Sequence, residues 1–129
     1  MTMQKVTTFL MFKGKAEEAM DFYTTTFKDA EKINVFHNED GTVLHGMFSI
    51  KGQTLMCIDS MQNQKFSFTP GMSLFVECDT VEELEELFSK LSEDGNVNMP
   101  ITDTPVSEKF CWVDDQYGVS WQLNVSKAK

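Results

Sequence analysis

The side chains able to do chemistry are few, and they fall in strand-like stretches of the chain. His37 and His45 are the two histidines, the residue type whose ordinary titration lies near neutral pH. His45, within Val43–Ile50, could act as a general base or as a polar anchor for a ligand. The competing reading is a partly buried imidazole holding a backbone carbonyl, since no neighbouring carboxylate is evident to tune it. His37 reads as the solvent-facing end of a strand. Phe110 and Trp112, two residues apart, could stack on a flat ligand or pack as ordinary core. Gln122 could orient a ligand through its amide or bond to a neighbouring strand. Cys57 is a poor nucleophile candidate because no histidine is placed to activate it.

Several classes are disfavoured by the rest of the composition. Eleven basic against twenty acidic residues give a net charge of −9, a field that repels phosphate backbones and anionic membrane surfaces. Neither nucleic acid nor membrane is an expected partner. The four glutamates Glu82, Glu83, Glu85 and Glu86 read as one solvated helix face. Cys57, Cys78 and Cys111 are odd in number, widely spaced and lack a C-x-x-C, so a reducing cytoplasmic setting fits better than a disulfide framework. No stretch approaches the ~20 apolar residues of a membrane span, and the opening MTMQKVTTFLMF reads as a first strand, not a signal peptide. No glycine-rich strand-to-helix loop of the kind nucleotide cofactors use is present; Lys13-Gly14-Lys15 holds a single glycine.

These residues need elements to position them. The chain has 129 residues, the size of one domain with a real core, and its nine Met and eleven Phe predict an adaptable, aromatic-rich interior. Val6–Phe12 is β-branched and aromatic and predicts a strand. Ala16, Ala19, Met20, Tyr23 and Phe27 recur at helical spacing. Ile33–His37, Val43–Ile50 and Gln53–Asp59 predict three strands, separated by the Asn38-Glu39-Asp40-Gly41 and Lys51-Gly52 turns. The second half starts again with a strand at Ser73–Cys78. A helix follows, striped by Val81, Leu84, Leu87, Phe88 and Leu91, opened by a Thr80/Glu83 capping box and ended by Asp94-Gly95. Val97–Ile101 predicts a strand near an edge, because Pro100 cannot donate to a ladder. Phe110–Asp114 and Val119–Val125 complete the half. Both halves therefore read β-α-β-β-β.

They also align with each other. A shift of 65 lays AEEAMDFY (16–23) on VEELEELF (81–88), His45 on Phe110 and Met47 on Trp112. A shift of 66 lays Gly52 on Gly118 and Leu55-Met56-Cys57 on Trp121-Gln122-Leu123. The expectation is one duplicated α+β domain, with a first module over about 5–59, a linker over 60–71 and a second module over about 72–125.

FLMFKGKAEEAMDFYTTTF, GTVLHGMFSIKGQTLMCID, GMSLFVECDTVEELEELFSKL and FCWVDDQYGVSWQLNV resemble the 3-demethylubiquinone-9 3-methyltransferase-like (PhnB-like) group. That group lies in the vicinal oxygen chelate superfamily, with glyoxalases, bleomycin-resistance proteins and extradiol dioxygenases. The resemblance is weakest over 60–71 and 95–109, and most specific in the last string. It implies two βαβββ modules forming a curled mixed sheet around a shared cavity, helices outside, usually in a homodimer.

The resemblance also implies where metal-using members hold their ion: at Thr8 and Ser73 on the first strand of each module (within a residue) and at Met56 and Gln122 on the last. None is His, Glu or Cys, and thioether, hydroxyl and amide groups are weak ligands for such ions. No metal and no other cofactor is therefore expected. If Met56 and Gln122 face the cavity, alternation adds Thr54, Ile58, Ser120 and Asn124, with Val43, His45, Met47 and Ser49 from the third strand and Phe110 and Trp112 by the repeat. Leu44, Phe48 and Ile50 would face the helix, as would Cys57. The expected function is small-molecule binding in a metal-free cavity by Thr8, Met47, Met56, Ser73, Phe110, Trp112 and Gln122. The alternatives are an enzyme of the glyoxalase/dioxygenase superfamily or a 3-demethylubiquinone-9 3-methyltransferase-like transferase, either using His45 as its acid/base, and a structural or regulatory homodimer.

Overall fold

The computed structural model describes residues 4–60 and 67–127. It divides into two compact units, Met1–Lys65 and Phe66–Lys129. The first contains β1 (Thr8–Phe12), α1 (Ala16–Thr26), β2 (Ala30–His37), β3 (Val43–Ile50) and β4 (Gln53–Asp59). The second contains β5 (Leu74–Glu77), α2 (Val81–Ser92), β6 (Asn96–Thr102), β7 (Ser107–Asp114) and β8 (Ser120–Ser126). Each unit has the expected β-α-β-β-β order. The sheets run β1-β4-β3-β2 and β5-β8-β7-β6, and neither closes on itself. In both, the first strand lies parallel to the last and the other pairings are antiparallel. β6, which carries Pro100, is an edge strand as its sequence requires. The linker expected over 60–71 falls largely outside the described residues, which omit 61–66.

Local chemistry fixes each element. Lys51 and Gly52 both have positive φ, 50° and 85°, the backbone that a two-residue hairpin between β3 and β4 demands. Thr80 caps α2 by accepting from the Glu83 N–H at 3.0 Å, and the Glu83 carboxylate accepts from the Asp79 N–H at 2.7 Å, one residue before the cap. α1 has no side-chain cap at Lys15. The Asp59 carboxylate at the end of β4 serves instead, accepting from the Ala16 N–H at 2.9 Å and from the Val43 N–H at 2.8 Å.

In each unit one sheet face is buried against the helix. In the first, Leu10, Phe12, Phe48, Leu55 and Cys57 meet Ala19, Met20 and Tyr23 of α1, and the Tyr23 and Phe48 rings stack with centroids 5.8 Å apart. In the second, Val76, Cys111, Val113, Trp121 and Leu123 lie beneath Leu84, Leu87 and Leu91. The buried stripes Met20, Tyr23, Phe27 and Leu84, Leu87, Leu91 match at a shift of 64, not the 65 expected from the paired glutamates. Those glutamates are not buried, so they do not report which side of the helix packs. A second correction concerns the start of β3. Val43 is 1% exposed and Leu44 is 59% exposed, the reverse of strict alternation. The β2–β3 register shifts between Phe36 and His37, and the bond to Asp59 holds Val43 inward.

Candidate functional site

The face of each sheet turned away from its helix carries the candidate residues other than Thr8, and register places several of them in rows. In the first sheet Phe9 lies opposite Met56, Met56 opposite Met47, and Met47 opposite Asn34, one residue from each of the four strands. In the second the row is Phe75, Gln122, Trp112 and Met99. At ordinary strand spacing such a row spans roughly 14 Å, the length of a fused-ring molecule. Phe9 and Phe75 end their rows 48% and 60% exposed, while Met47, Met56, Trp112 and Gln122 are half-buried.

Around the first row, His45 pairs with Phe36 across β2–β3, with ring centroids 6.3 Å apart. Among the described residues the contact recorded for the His45 imidazole is this one with the Phe36 ring. His37 bonds instead to Glu17 of α1 at 2.7 Å, at the surface. A pocket of about 370 Å³ is lined by Lys28, Asp29, Ala30, Glu31, Ser49 and Gly52; of the residues expected to face a cavity it takes in Ser49, and none of those expected to bind a ligand.

Around the second row the polar groups are tied to one another. The Gln122 Nε2 donates to Ser73 Oγ at 2.7 Å, so this glutamine bridges to the residue that precedes the neighbouring strand β5. The Trp112 indole N–H donates to Ser120 Oγ at 2.7 Å, and the Phe75 and Phe110 rings lie 6.5 Å apart. Asn124 donates to Glu77 at 2.8 Å and accepts from Ser107 at 2.6 Å. Burial pulls the Glu77 carboxyl upward, but the bonds from Asn124 and Ser126 outweigh it and hold the group below its usual range.

Thr8 stands apart from the rest. It shares alternation with the buried Leu10 and Phe12, on the helix side, whereas Ser73 shares the open face with Phe75. The first strands match at a shift of 66, as Phe12 and Cys78 (both 3% exposed) show, so the counterpart of Ser73 is Thr7. Cys57, Cys78 and Cys111 are free and buried. Burial, aided by Asp59 for the first and Cys78 for the second, pushes Cys57 and Cys111 up to about 12. Among the described residues no three His, Cys, Asp or Glu side chains gather as a metal site would require.

The model of the 3-demethylubiquinone-9 3-methyltransferase family matches residues 4–124. The chain belongs to that family. It is 32% identical to Protein YjdN of Escherichia coli K12 over 92% of this chain and 93% of that protein. The PhnB protein of Bacillus cereus is 50% identical, with a TM-score of 0.91 over 95% of this chain and all of that one. A glyoxylase/bleomycin resistance/dioxygenase domain from Frankia shares the fold at 15% identity, with a TM-score of 0.68 over 98% of this chain and all of that one. The fold is thus that of the vicinal oxygen chelate proteins. No helix of the described residues is long and apolar enough to cross a membrane.

Phe9, Phe75, Asn34 and Met99 were not among the residues singled out in the sequence of this family member. The signal for the two phenylalanines was available: the shift of 66 that pairs Met56 with Gln122 also pairs Phe9 with Phe75. Asn34 and Met99 follow only from register, because both lie beside irregularities in their ladders.

Proposed function

We propose that this protein binds a flat, largely apolar small molecule on the open sheet faces without using a metal ion. The observation that carries this reading is the pair of four-residue rows, each ending in an exposed phenylalanine. Large apolar side chains held in ranks on a sheet face are costly to leave in water and suit a ligand. The donor set argues against an ion at the positions that the family resemblance implies: Ser73 and Gln122 bond each other, and Met56 offers only a thioether. The helix N-termini also argue against a phosphate-bearing cofactor. Asp59 fills that of α1 and Thr80 that of α2, and a carboxylate at the first would repel an anion. The methyltransferase name of the family does not by itself establish an activity for this chain.

A second reading, an enzyme using His45 as acid/base, is favoured by one observation: its ring nitrogens have no hydrogen-bond partner among the described residues and remain available to a substrate. The same proposal has the protein act as a homodimer in the cytosol. Exposed Leu44 and Val106 support the first part and three free thiols the second. Native mass spectrometry and metal analysis of the purified protein test these readings. A copurifying organic compound without stoichiometric metal is expected, and a tightly held zinc, iron or manganese ion would overturn the main one. A His45→Ala variant that retains a compound but holds it in a chemically different form would favour the enzyme.

A further inference from the structure

Asn34 Oδ1 is buried and accepts no hydrogen bond, and among the described residues it is the one buried side-chain polar atom left so. A native protein rarely keeps such an atom without a use for it, because it loses water and gains nothing in return. Its position is also contrived by the backbone. Lys32, two residues earlier, donates to Asp21 of α1 at 2.6 Å, so it points to the helix side. Regular alternation would send Asn34 the same way. The register shift between Lys32 and Asn34 reverses this and sets Asn34 opposite Met47, on the open face with Phe36 and His45. Bulges commonly re-aim a side chain in this manner next to functional sites.

We propose that Asn34 is the polar anchor of the first sheet's row, and that the ligand it selects is a planar ring carrying an N–H donor. This rests on the reading of the open face as a binding surface. The amide oxygen can only accept, so the ligand must donate. Met47 beside it and Phe36 two residues along supply the flat apolar walls that a ring requires, while the net charge of −9 disfavours an anionic ring. In the unliganded fold Asn34 Oδ1 has no open surface, so a neighbouring side chain must move aside for the donor to reach it; the bond then removes the cost of the unpaired oxygen.

Indole and 1-methylindole form a pair of probes that differ only in the methyl group that replaces the N–H donor of the second. Amide signals of the full-length protein, followed by ¹H–¹⁵N NMR during titration with each, give both the location and the affinity. Indole is expected to shift the signals of Asn34, Phe36 and Met47 and to bind about tenfold more tightly than 1-methylindole, the ratio one buried hydrogen bond supplies. In an Asn34→Leu variant the ratio should fall to about one, and the melting temperature should rise because an unsatisfied polar group has gone. Equal binding of the two probes to the wild type overturns the role of Asn34 but leaves the binding surface standing. A ratio preserved in Asn34→Leu, or a variant that melts lower, does the same. Failure of either probe to shift any residue of the row overturns both this inference and the function it rests on.

Discussion

The Trp121 indole N–H donates to Asp115 Oδ2 at 2.8 Å, and both residues are buried. The other carboxylate oxygen accepts from the Tyr117 N–H at 2.8 Å and the Val119 N–H at 3.1 Å. The Asp115 N–H and carbonyl close the same loop, through bonds to Val119 and Gly118, and Gly118 takes the positive φ of 92° that the turn demands. The segment of the sequence most specific to the family, from Trp112 to Gln122, is thus in large part a loop clip. One buried carboxylate gathers three N–H groups and fixes where β8 starts, and with it the register that sets Gln122 opposite Trp112.

Removing that carboxylate should be expensive. Asp115→Ala strands three donors, one of them on a buried indole, and should cost about 3 kcal/mol in urea unfolding. Asp115→Asn keeps one acceptor oxygen but turns an NH₂ toward another donor, and should cost about 2 kcal/mol. A loss below about 1 kcal/mol for the alanine variant would show that water replaces the carboxylate and that the clip does not hold the loop.

Glu77 should give the fold a specific acid sensitivity. Its carboxyl is held below the ordinary 4.5 because the bonds from Asn124 and Ser126 prevail over burial. A carboxylate whose folded pKa is depressed stabilises the fold fully above its unfolded value and loses that contribution as pH falls through the folded one. The stability difference between the wild type and Glu77→Gln should therefore be largest above pH 4.5 and should shrink below it. Urea midpoints for the two proteins at a series of pH values measure this directly; a gap that does not change with pH would contradict the assignment.

The three thiols should be silent in the folded protein. Cys57 and Cys111 are pushed up to about 12 by burial, and Cys78 is only 3% exposed. At pH 8 a thiol reagent should label none of them within minutes, and all three once the chain unfolds. Labelling rates should track the unfolding equilibrium as urea is added. Rapid labelling of Cys57 in native buffer would reveal an opening of β4 that its packing against α1 does not suggest.

Much of this architecture was legible in the sequence because it is written in local patterns. The stripe of Leu84, Leu87 and Leu91 marks a helix face, Lys51-Gly52 marks a hairpin, and the repeat marks a duplicated unit. What was not legible depends on single-residue register. The family resemblance placed Thr8 with Ser73 to within a residue, and the strand's alternation puts Thr8 on the helix side; one residue moves a side chain through the sheet. Asn34 and the Val43/Leu44 reversal come from bulges in β2–β3 that no composition signal marks. The His45 partner, a phenylalanine ring across the ladder, is likewise a product of pairing and not of proximity in sequence.

Gly95 offers a test of how tightly the second module is closed. It follows Asp94, whose φ of 58° ends α2, and its N–H donates to the Ser92 carbonyl at 3.0 Å. Its own backbone is not in the left-handed region, so conformational freedom does not explain the glycine. Space does: a Cβ there would overlap the Asp114 carbonyl oxygen and lie 3.1 Å from the Asp115 backbone. Both obstacles are main chain and belong to the loop that Asp115 clips, so neither can swing away as a side-chain tip would. Gly95→Ala should cost about 3 kcal/mol, although alanine is the better residue for an ordinary backbone. Gly71→Ala is the control, since the nearest atom to its added Cβ is the Thr69 hydroxyl at 3.3 Å, which can rotate; it should change stability by less than about 1 kcal/mol. Equal effects of the two substitutions would mean that the α2–β6 turn is not pressed against the end of β7.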